Sequence, residues 1–469
     1  MKKKLSLTII ALLLLGSLVV RARKQPNIVF LLADDLGWPN LGCFGSEFYE
    51  TPNIDKLAGQ GMRFVNGYAT AVNCAPSRAC IMSGQYVGRH GIYSVSHYQD
   101  KQLKAKGNLD RFQLLQPKLP HTLNNEVLTL AETLKKAGYT TGMFGKWHLG
   151  KADQSPSNRG FDQAIESAGK HYNFTTTPPM EHDPDQYLSD FLCDNAVKFI
   201  KESHRSGKPF FLYYPDFLVH GPFETKPEYL KYFQNKPKGE HQKSPIAAAM
   251  TKALDDSIGR ILDTLEKLGI EDETFVVFTS DNGGLGYPED GKRDENTSNY
   301  PLRGTKGMEF EGGMRVPYIF RWPGKIPANT VSKQNIINVD LYETLRALAG
   351  APKPPQPLDG LNLLPLLEKP SDDAGERDLF WYLPFYSAFN RPCVVTRRGD
   401  WKFIYLIETE TSELYNTADD IGERKDLAAQ HPEMVQDFTV RALKWLDDTD
   451  APRMIPNPDY DPTSARKKK

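Results

Sequence analysis

The sequence predicts an α/β protein in which a mostly parallel sheet lies between helices, with a small antiparallel sheet and a closing helix at the C-terminal end. Short apolar runs rich in β-branched and aromatic residues alternate with longer amphipathic stretches along the first three quarters of the chain. Charged and polar side chains follow directly after several of these runs. Beyond a proline-rich stretch at 350–360, the pattern changes to closely spaced strands followed by one helix.

Four apolar runs have the composition of buried strands, and each ends beside polar or charged side chains. In chain order these are Asp34 and Asp35 after "NIVFLLA", Lys146 and His148 after "TTGMFG", His220 at the end of "FFLYYPDFLVH", and Asp281 and Asn282 after "TFVVFTS". A further strand is expected over 316–321.

The stretches between these runs have helical periodicity: "TPNIDKLAGQGM", "VLTLAETLKKAG", "YLSDFLCDNAVKFIKES" and "AAMTKALDDSIGRILDTLEKLGI". Alternation of strands and helices produces parallel strands, because each helix returns the chain to the same end of the sheet. Ligands of such sheets bind at the carboxyl ends of the strands. We therefore expect the four groups of polar side chains to face one crevice.

Each group has a simpler interpretation when it is taken alone. An Asp after a strand is often the N-cap of the next helix, and "SDNGG" can be an ordinary turn. A single His at a strand end is often a hydrogen-bonded core residue. Four such groups at one edge of one sheet favour a functional site over these interpretations.

The carboxylates and the amide at this edge, Asp34, Asp35, Asp281 and Asn282, offer only hard oxygen ligands. This set suits calcium first and magnesium second, and it argues against zinc. The same edge also collects basic residues, which are Arg78, Lys146, His148 and His220. Together with a divalent cation they would form a densely cationic pocket, which a tetrahedral oxyanion would fit.

Two other residues extend this pocket. Lys306 lies in a glycine-rich loop about two dozen residues after Asn282, and that loop can fold back over the site. Taken alone, Lys306 would be interpreted as a solvated loop lysine. Cys74, in "NCAPSRAC" at 73–80, is six residues from the nearest cysteine, which is too far for a usual zinc pair. A nucleophilic cysteine needs a nearby positive charge, and Arg78 offers one.

Length, charge and cysteine content narrow the class of protein. The chain has 469 residues, enough for one large α/β domain and a smaller one, and its five cysteines have irregular spacings that form no disulfide framework. A net charge of −1, with no basic tract in the predicted mature chain except the last residues, argues against a nucleic-acid partner. Residues 1–22 combine three lysines with an apolar run, which predicts a secretory signal peptide; an uncleaved membrane anchor is the alternative. We expect a secreted or periplasmic protein with no stable membrane insertion after the signal is removed.

The stretch "CAPSRACIMSG", residues 74–84, resembles the signature of the formylglycine-dependent sulfatases, which is Cys-x-Pro-Ser-Arg followed by a short apolar run and a glycine. Other motifs occur in the order found in this family and extend the resemblance from about residue 25 to about residue 430. They are "LLADDLGWPNLGCFG", "TPNIDKLAGQGMRF", "GKWHLG", "NRGFD", "FTSDNGG", "LRGTKGMEFEGGMRVP" and "ELYNTADDIGERKDLA".

The resemblance implies a type I sulfatase of the alkaline-phosphatase-like superfamily, an enzyme that hydrolyses a sulfate ester, here on a sulfated carbohydrate. In this family a formylglycine-generating maturation enzyme oxidises the motif cysteine, so Cys74 is expected to become 3-oxoalanine (Cα-formylglycine). The hydrated aldehyde is a geminal diol. One hydroxyl attacks sulfur and displaces the alcohol, and the other then expels sulfate and restores the aldehyde.

The resemblance also implies a role for each matched residue. Asp34, Asp35, Asp281 and Asn282 are the expected Ca²⁺ ligands, with the converted Cys74 completing the shell. Arg78 is expected to hold the diol, and Lys146 and Lys306 to bind sulfate.

Three histidines complete the set. His148 is the expected base for breakdown of the covalent sulfate. His220 is expected to contact the substrate and to donate a proton to the leaving alcohol, although "HGP" stands here where relatives often have His-Thr-Pro. His171, in "GKHYNF", is a further candidate for the substrate pocket.

The same resemblance divides the chain into a signal peptide (1–22), a catalytic α/β domain (25–355) and a smaller C-terminal α+β subdomain (375–455). The subdomain would contain strands in "CVVTRRGDWKFIYLI" and "SELYN" and a helix in "PEMVQDFTVRALKWLDDT".

Two other functions are open at this point. The first is a phosphonate or phosphate ester hydrolase of the same superfamily; such enzymes usually carry a His where this chain has Asn282. An amide ligand to one hard cation suits a monoanionic sulfate ester better than a phosphate dianion. The second is a secreted protein that binds sulfated glycans without cleaving them. That function would be marked by loss of Cys74, Arg78 or a metal ligand, and all of them are present.

Overall fold

The computed structural model describes residues 25–286, 298–372, 375–387 and 390–465, so the predicted signal peptide lies outside the described residues. The strands in these ranges are β1 Asn27–Ala33, β2 Met62–Phe64, β3 Gly67–Tyr68, β4 Leu114–Leu115, β5 Thr140–Gly145, β6 Gln163–Glu166, β7 Phe210–Pro215, β8 Thr274–Ser280, β9 Tyr318–Arg321, β10 Thr330–Ser332, β11 Ile336–Ile337, β12 Asp378–Leu383, β13 Cys393–Arg398, β14 Trp401–Leu406, β15 Thr411–Asn416 and β16 Ile455–Pro456.

The α-helices in the same ranges are α1 Pro52–Gly59, α2 Cys74–Ser83, α3 Val87–His90, α4 Tyr98–Lys106, α5 Leu130–Lys136, α6 Leu188–Ser206, α7 Pro227–Asn235, α8 Pro245–Lys267, α9 Glu311–Met314, α10 Val339–Leu348, α11 Leu364–Glu368, α12 Pro432–Asp448 and α13 Pro462–Ala465. Within the part of the chain that the structure describes, none of these helices has the length and apolar character needed to cross a membrane.

The main sheet has eight strands in the order β10-β2-β9-β8-β1-β7-β5-β6. Every neighbouring pair is parallel except the two pairs that include β9, which runs antiparallel to β2 and β8. The predicted α/β fold with a mostly parallel sheet is therefore confirmed.

The central strand β1 shows why helices cover both faces of the sheet. Its alternate residues enter two different hydrophobic cores: Ile28, Phe30 and Leu32 on one face, and Val29, Leu31 and Ala33 on the other. Side chains of successive strand residues point to opposite faces, so a strand that is apolar throughout must be buried on both. Helices α2, α5 and α10 contribute to the first core, and α1, α6 and α8 contribute to the second.

Local sequence explains where the helices between the strands begin. Thr129 caps α5 in a capping box with Glu132, each side chain accepting a hydrogen bond from the other residue's backbone N–H. The Ser244 side chain accepts a hydrogen bond from the Ala247 N–H at the start of α8, where Pro245 occupies the first turn. The caps set the start of α5 at Leu130, inside the predicted stretch, and the start of α8 at Pro245, shortly before the predicted one.

The C-terminal part contains a second, antiparallel sheet in the order β12-β13-β14-β15, and α12 packs against it. The ring of Phe438 in α12 stacks on Phe403 in β14 with centroids 5.5 Å apart. The small antiparallel sheet and closing helix are thus confirmed, while the boundaries at 355, 375 and 455 stay a prediction.

A cluster of buried charges joins this small sheet to the segment after β8. The Lys402 ammonium group on β14 lies 2.6 Å from Glu423 Oε1 and 3.4 Å from Glu311 Oε1, and all three side chains are fully buried. Arg315 Nε donates to Glu311 Oε2 at 2.6 Å, and the Glu311 backbone N–H donates to Glu423 Oε2 at 2.7 Å. Buried charges are tolerated only when they are paired in this way.

We expect Lys402→Met to lower the free energy of unfolding by about 3–5 kcal/mol, because it leaves two buried carboxylates without their shared cation. The matched control is Lys444→Met in the same part of the chain, where the pair with Asp448 is 69% and 56% exposed at the two side chains. An exposed pair contributes at most about 1 kcal/mol. Urea unfolding of both variants measures the difference, and equal losses would show that the buried cluster adds no stability.

Candidate active site

The predicted convergence of polar side chains occurs at the carboxyl end of the main sheet. Ala33, the last residue of β1, is directly paired with Ser280, the last residue of β8, so the residues that follow these two strands are neighbours. The Asp35 backbone N–H donates to Asp281 Oδ1 at 3.2 Å, and Asn282 Nδ2 donates to Asp35 Oδ1 at 2.8 Å.

A close approach between β5 and β7 places Lys146 at the same edge. The Lys146 backbone N–H donates to the Pro215 carbonyl at 2.8 Å. Gly145 has φ of +140°, and a Cβ atom there would lie 2.0 Å from the Pro215 carbonyl oxygen. Only glycine permits this approach. As a result the Lys146 ammonium group reaches Asp34 Oδ2 across the site.

Four residues present possible metal-ligating atoms that all lie within 4.8 Å of one another: Asp34, Asp35, Cys74 and His220. Three of them belong to the predicted ligand set. His220 was predicted as a proton donor, and its Nε2 atom is 3.7 Å from Asp35 Oδ2. Asp281 and Asn282 are held against this group by the hydrogen bonds given above, and their role as ligands stays a prediction.

The donor chemistry of this group fits a hard divalent cation. Asp34 Oδ1 and Asn282 Oδ1 are both buried, and neither has a hydrogen-bond partner among the described residues. A buried carboxylate or amide oxygen without a partner is costly, and a cation satisfies it. Since both atoms are oxygens, the residues present fit Ca²⁺ or Mg²⁺ better than a soft metal.

Three cations surround the carboxylates. Arg78 Nε donates to Asp281 Oδ2 at 2.8 Å, and Arg78 Nη2 lies 3.5 Å from Asp34 Oδ2. Lys306 Nζ donates to Asp35 Oδ2 at 2.8 Å and lies 3.3 Å from Cys74 Sγ. Three carboxylates therefore face three cations, and an added divalent cation would leave the site positive and ready for an anion.

The charges shift the pKa values of their neighbours. Burial alone would raise the pKa of Asp34, but Lys146 and Arg78 hold it well below its usual range. Burial and the charge of Asp34 raise the pKa of Asp281 to about 6. Burial disfavours the charged form of Lys306, yet Asp35 raises the pKa of this ammonium group well above its ordinary value. The lysine therefore remains a cation at neutral pH.

Cys74 is the first residue of α2, and the whole helix is buried. The positive end of the helix dipole therefore lies at this residue. Burial raises the pKa of the Cys74 thiol to about 11, so the encoded side chain is protonated here. Its Sγ atom lies 3.3 Å from Lys306 Nζ.

His148 lies two residues beyond Lys146 and remains exposed, with φ of +63°. Desolvation by the surrounding protein lowers the pKa of the His148 ring, and so do the positive charges of Lys146 and Arg78. Because the side chain faces solvent, we attribute the direction mainly to those two charges. A lowered pKa keeps the ring neutral at neutral pH, and a neutral imidazole can accept a proton.

His171 is fully buried rather than open to a pocket. Its Nε2 atom is 2.9 Å from the His220 carbonyl oxygen, so the ring lies behind His220 and not beside the carboxylates. The substrate-contact role predicted for His171 does not fit this position.

Sequence reasoning missed Phe217, which stacks between His171 and His220 with centroids 5.0 Å and 4.9 Å away. The sequence offered one signal for this contact, which is that Phe217 precedes His220 by three residues in "FLVH".

The sequence and the fold both resemble those of known proteins. The profile of the family described as "Sulfatase" matches residues 26–351, and that described as "N-sulphoglucosamine sulphohydrolase, C-terminal" matches residues 305–445. A "Sulfatase" of Formosa agariphila is 33% identical over 92% of this chain and 91% of that relative. The N-acetylgalactosamine-6-sulfatase of Rattus norvegicus is 36% identical over 78% of this chain and 70% of its own length. Among solved structures, Ps i-CgsB in complex with k-i-k-neocarrahexaose has a TM-score of 0.76 at 28% identity, covering 91% of this chain and 94% of that one.

Proposed function

Because the chain belongs to the sulfatase family, and is therefore a sulfuric ester hydrolase, we propose that it removes sulfate from a sulfated saccharide outside the cytoplasm. The reaction consumes one water molecule, breaks the ester and yields the sugar alcohol, inorganic sulfate and a proton. The saccharide is supported by the names of the relatives, one a sulfatase of N-acetylgalactosamine and one bound to a neocarrahexaose. The secreted or periplasmic location rests on the signal-like sequence at 1–22.

The observation that carries this proposal is the position of Lys306, which contacts both Cys74 and the Asp35 carboxylate. Lys306 Nζ lies within 3.3 Å of Cys74 Sγ and 2.8 Å of Asp35 Oδ2 at once. A nucleophile placed there would have a cation beside it on which negative charge on a sulfate group could rest.

Two groups would complete the site. A calcium ion would be held by Asp34, Asp35, Asp281 and Asn282, and when bound it would polarise a sulfate oxygen. Conversion of Cys74 to 3-oxoalanine by a maturation enzyme would supply a hydroxyl nucleophile that can be released again from sulfate.

The remaining steps belong to side chains of this chain. Lys146 and Lys306 hold the sulfate group and offset charge on its oxygens. Arg78 pairs with Asp281 and Asp34, and we assign to it the role of orienting residue 74. His148 is neutral and accepts a proton, and His220 donates one to the leaving alcohol.

Hydrolysis of a phosphonate or phosphate ester is the alternative. Asn282 would contribute a neutral amide oxygen to the metal site. Fewer carboxylate charges would therefore surround the cation than in an enzyme whose site binds several metal ions. We therefore expect the singly charged sulfate ester to be the better substrate.

The test is sulfate release by converted, calcium-loaded protein from a panel of sulfated mono- and oligosaccharides, with 4-nitrophenyl sulfate and a phenylphosphonate ester as references. We expect kcat/KM for at least one saccharide to exceed that for the aryl sulfate by about 10²-fold, because contacts to the sugar contribute binding energy. Faster cleavage of the phosphonate ester would favour the alternative. Saccharide binding without sulfate release would indicate a glycan-binding protein.

A further inference from the structure

Four aromatic rings form a column that ends at the proposed proton donor. Tyr187 stacks on His171 with centroids 5.5 Å apart, His171 stacks on Phe217 at 5.0 Å, and Phe217 stacks on His220 at 4.9 Å. The first three rings are buried, whereas the His220 side chain is 31% exposed. The column therefore runs from the interior to the surface of the site.

A hydrogen bond ties the column to the backbone of His220. His171 Nε2 is 2.9 Å from the His220 carbonyl oxygen, and a carbonyl only accepts, so Nε2 carries the proton. The other nitrogen, Nδ1, is buried and has no hydrogen-bond partner among the described residues. A doubly protonated ring would leave an unpaired N–H in the interior, so His171 is a neutral donor. Burial, which lowers the pKa of His171, acts in the same direction.

His171 is itself fixed from several sides. Its backbone N–H donates to Glu224 Oε2 at 3.2 Å, and its carbonyl accepts from the Leu188 N–H at 2.8 Å. Tyr187, which stacks on the ring, donates its hydroxyl to the Glu224 carbonyl at 2.8 Å. A ring held by the start of α6 and by the segment after His220 is a rigid support.

The rings of His171 and Phe217 determine which edge of the His220 imidazole faces the cleft. His220 Nδ1 lies 2.6 Å from the Gly221 carbonyl oxygen and donates to it. The opposite atom, Nε2, is directed toward Asp35 Oδ2 at 3.7 Å. Without Phe217 against its face and His171 at its carbonyl, the imidazole could rotate about its broad side-chain torsion.

We infer that His171 and Phe217 are positioning residues that hold His220 Nε2 where it can protonate the leaving alcohol. This inference rests on the proton-donor role given to His220 under the proposed function. Proton transfer requires the donor within hydrogen-bond reach of the leaving oxygen, so a displaced imidazole loses most of its effect. Good leaving groups do not need the proton, and poor ones do.

The experiment compares His171→Phe with His171→Gln on two substrates, a sulfated monosaccharide that the enzyme cleaves and 4-nitrophenyl sulfate. Phenylalanine keeps the stacking and removes the donor, whereas the glutamine amide can still donate to the His220 carbonyl. We expect His171→Phe to lower kcat for the saccharide by about 10- to 10²-fold, a share of the usual general-acid effect, with little change in KM. The aryl sulfate should change less than about threefold, and His171→Gln should recover most of the saccharide activity.

His220→Ala sets the reference for these variants. If His171 acts through His220, His171→Phe should cause no further loss in the His220→Ala background. A multiplied loss in the double variant, or equal losses by His171→Phe on both substrates, would overturn the positioning role. Equal losses by His220→Ala on both substrates would instead overturn the proton-donor role, and the positioning inference with it. Thermal unfolding of each variant separates misfolding from misplacement. If His171→Phe does not fold, Phe217→Leu is the second test, because it removes the ring that stacks on His220 and should show the same larger loss on the saccharide than on the aryl sulfate.

Discussion

We expect replacement of Cys74 by alanine to abolish sulfate release, lowering kcat by about 10⁴-fold or more, the order of loss that follows removal of a covalent nucleophile. The side chain at this position is the first of α2, lies 3.3 Å from Lys306 Nζ and is almost completely buried, and alanine offers no group there that can attack sulfur. Peptide mass analysis of active protein from a host with a maturation system should show the aldehyde at residue 74 and nowhere else.

Two variants sharpen this prediction. Cys80→Ala removes a second buried cysteine from the same helix, six residues away and 3.3 Å from His90 Nε2, and should leave turnover within about threefold because it lies outside the site. Cys74→Ser keeps a hydroxyl that can attack sulfur once but has no second hydroxyl to expel sulfate. We expect it to accumulate a sulfate ester on residue 74, visible as the mass of one added sulfo group. Full activity of Cys74→Ala would overturn the proposed mechanism.

The position of the site could be predicted from the sequence because parallel strands simplify the problem. Once four apolar runs are recognised as parallel strands, the residues after them must meet at one edge, whatever the order of the strands. Asp34, Lys146 and Asp281 meet there for this reason. The predicted strand before His220 ends earlier than expected, at Pro215, so His220 reaches the site from the loop after β7. The oxygen-only character of the acidic group also follows from composition alone, and so does the preference for a hard cation.

Orientation could not be predicted in the same way. The sequence places His171 near the site, but only the folded chain shows its ring behind His220, with Nε2 at the His220 carbonyl. The contribution of Phe217 depends on a ring stack between segments that are far apart in sequence. The buried pair of Lys402 and Glu423 is likewise formed by long-range packing of β14 against the segment after β15. Periodicity identifies which residues are buried, not which buried charges meet.

Loss of the Asp34 carboxylate should be nearly as damaging as loss of Cys74. Asp34→Asn keeps the size of the side chain and removes its negative charge. One of the two carboxylate oxygens of Asp34, Oδ1, is buried and has no hydrogen-bond partner among the described residues. We expect calcium to be lost and kcat to fall by about 10³-fold or more, since a bound metal ion contributes several kcal/mol of charge stabilisation. Chelation of the unchanged protein should cause the same loss, and added Ca²⁺ should reverse it in the unchanged protein only.

The control for this prediction is Asp255→Asn, the same substitution at a carboxylate that is equally buried. Asp255 accepts hydrogen bonds from the backbone N–H groups of Asn53 and Ile54 at the start of α1, away from the site, so its loss should lower stability without releasing metal. Metal analysis of both variants and of the unchanged protein distinguishes the two effects. One calcium per chain, lost in Asp34→Asn and kept in Asp255→Asn, is the expected result. Two tightly bound zinc ions per chain would contradict the oxygen-ligand argument and would favour a phosphate or phosphonate ester as the substrate, because that chemistry uses paired metal ions to hold both oxygens of the displacement.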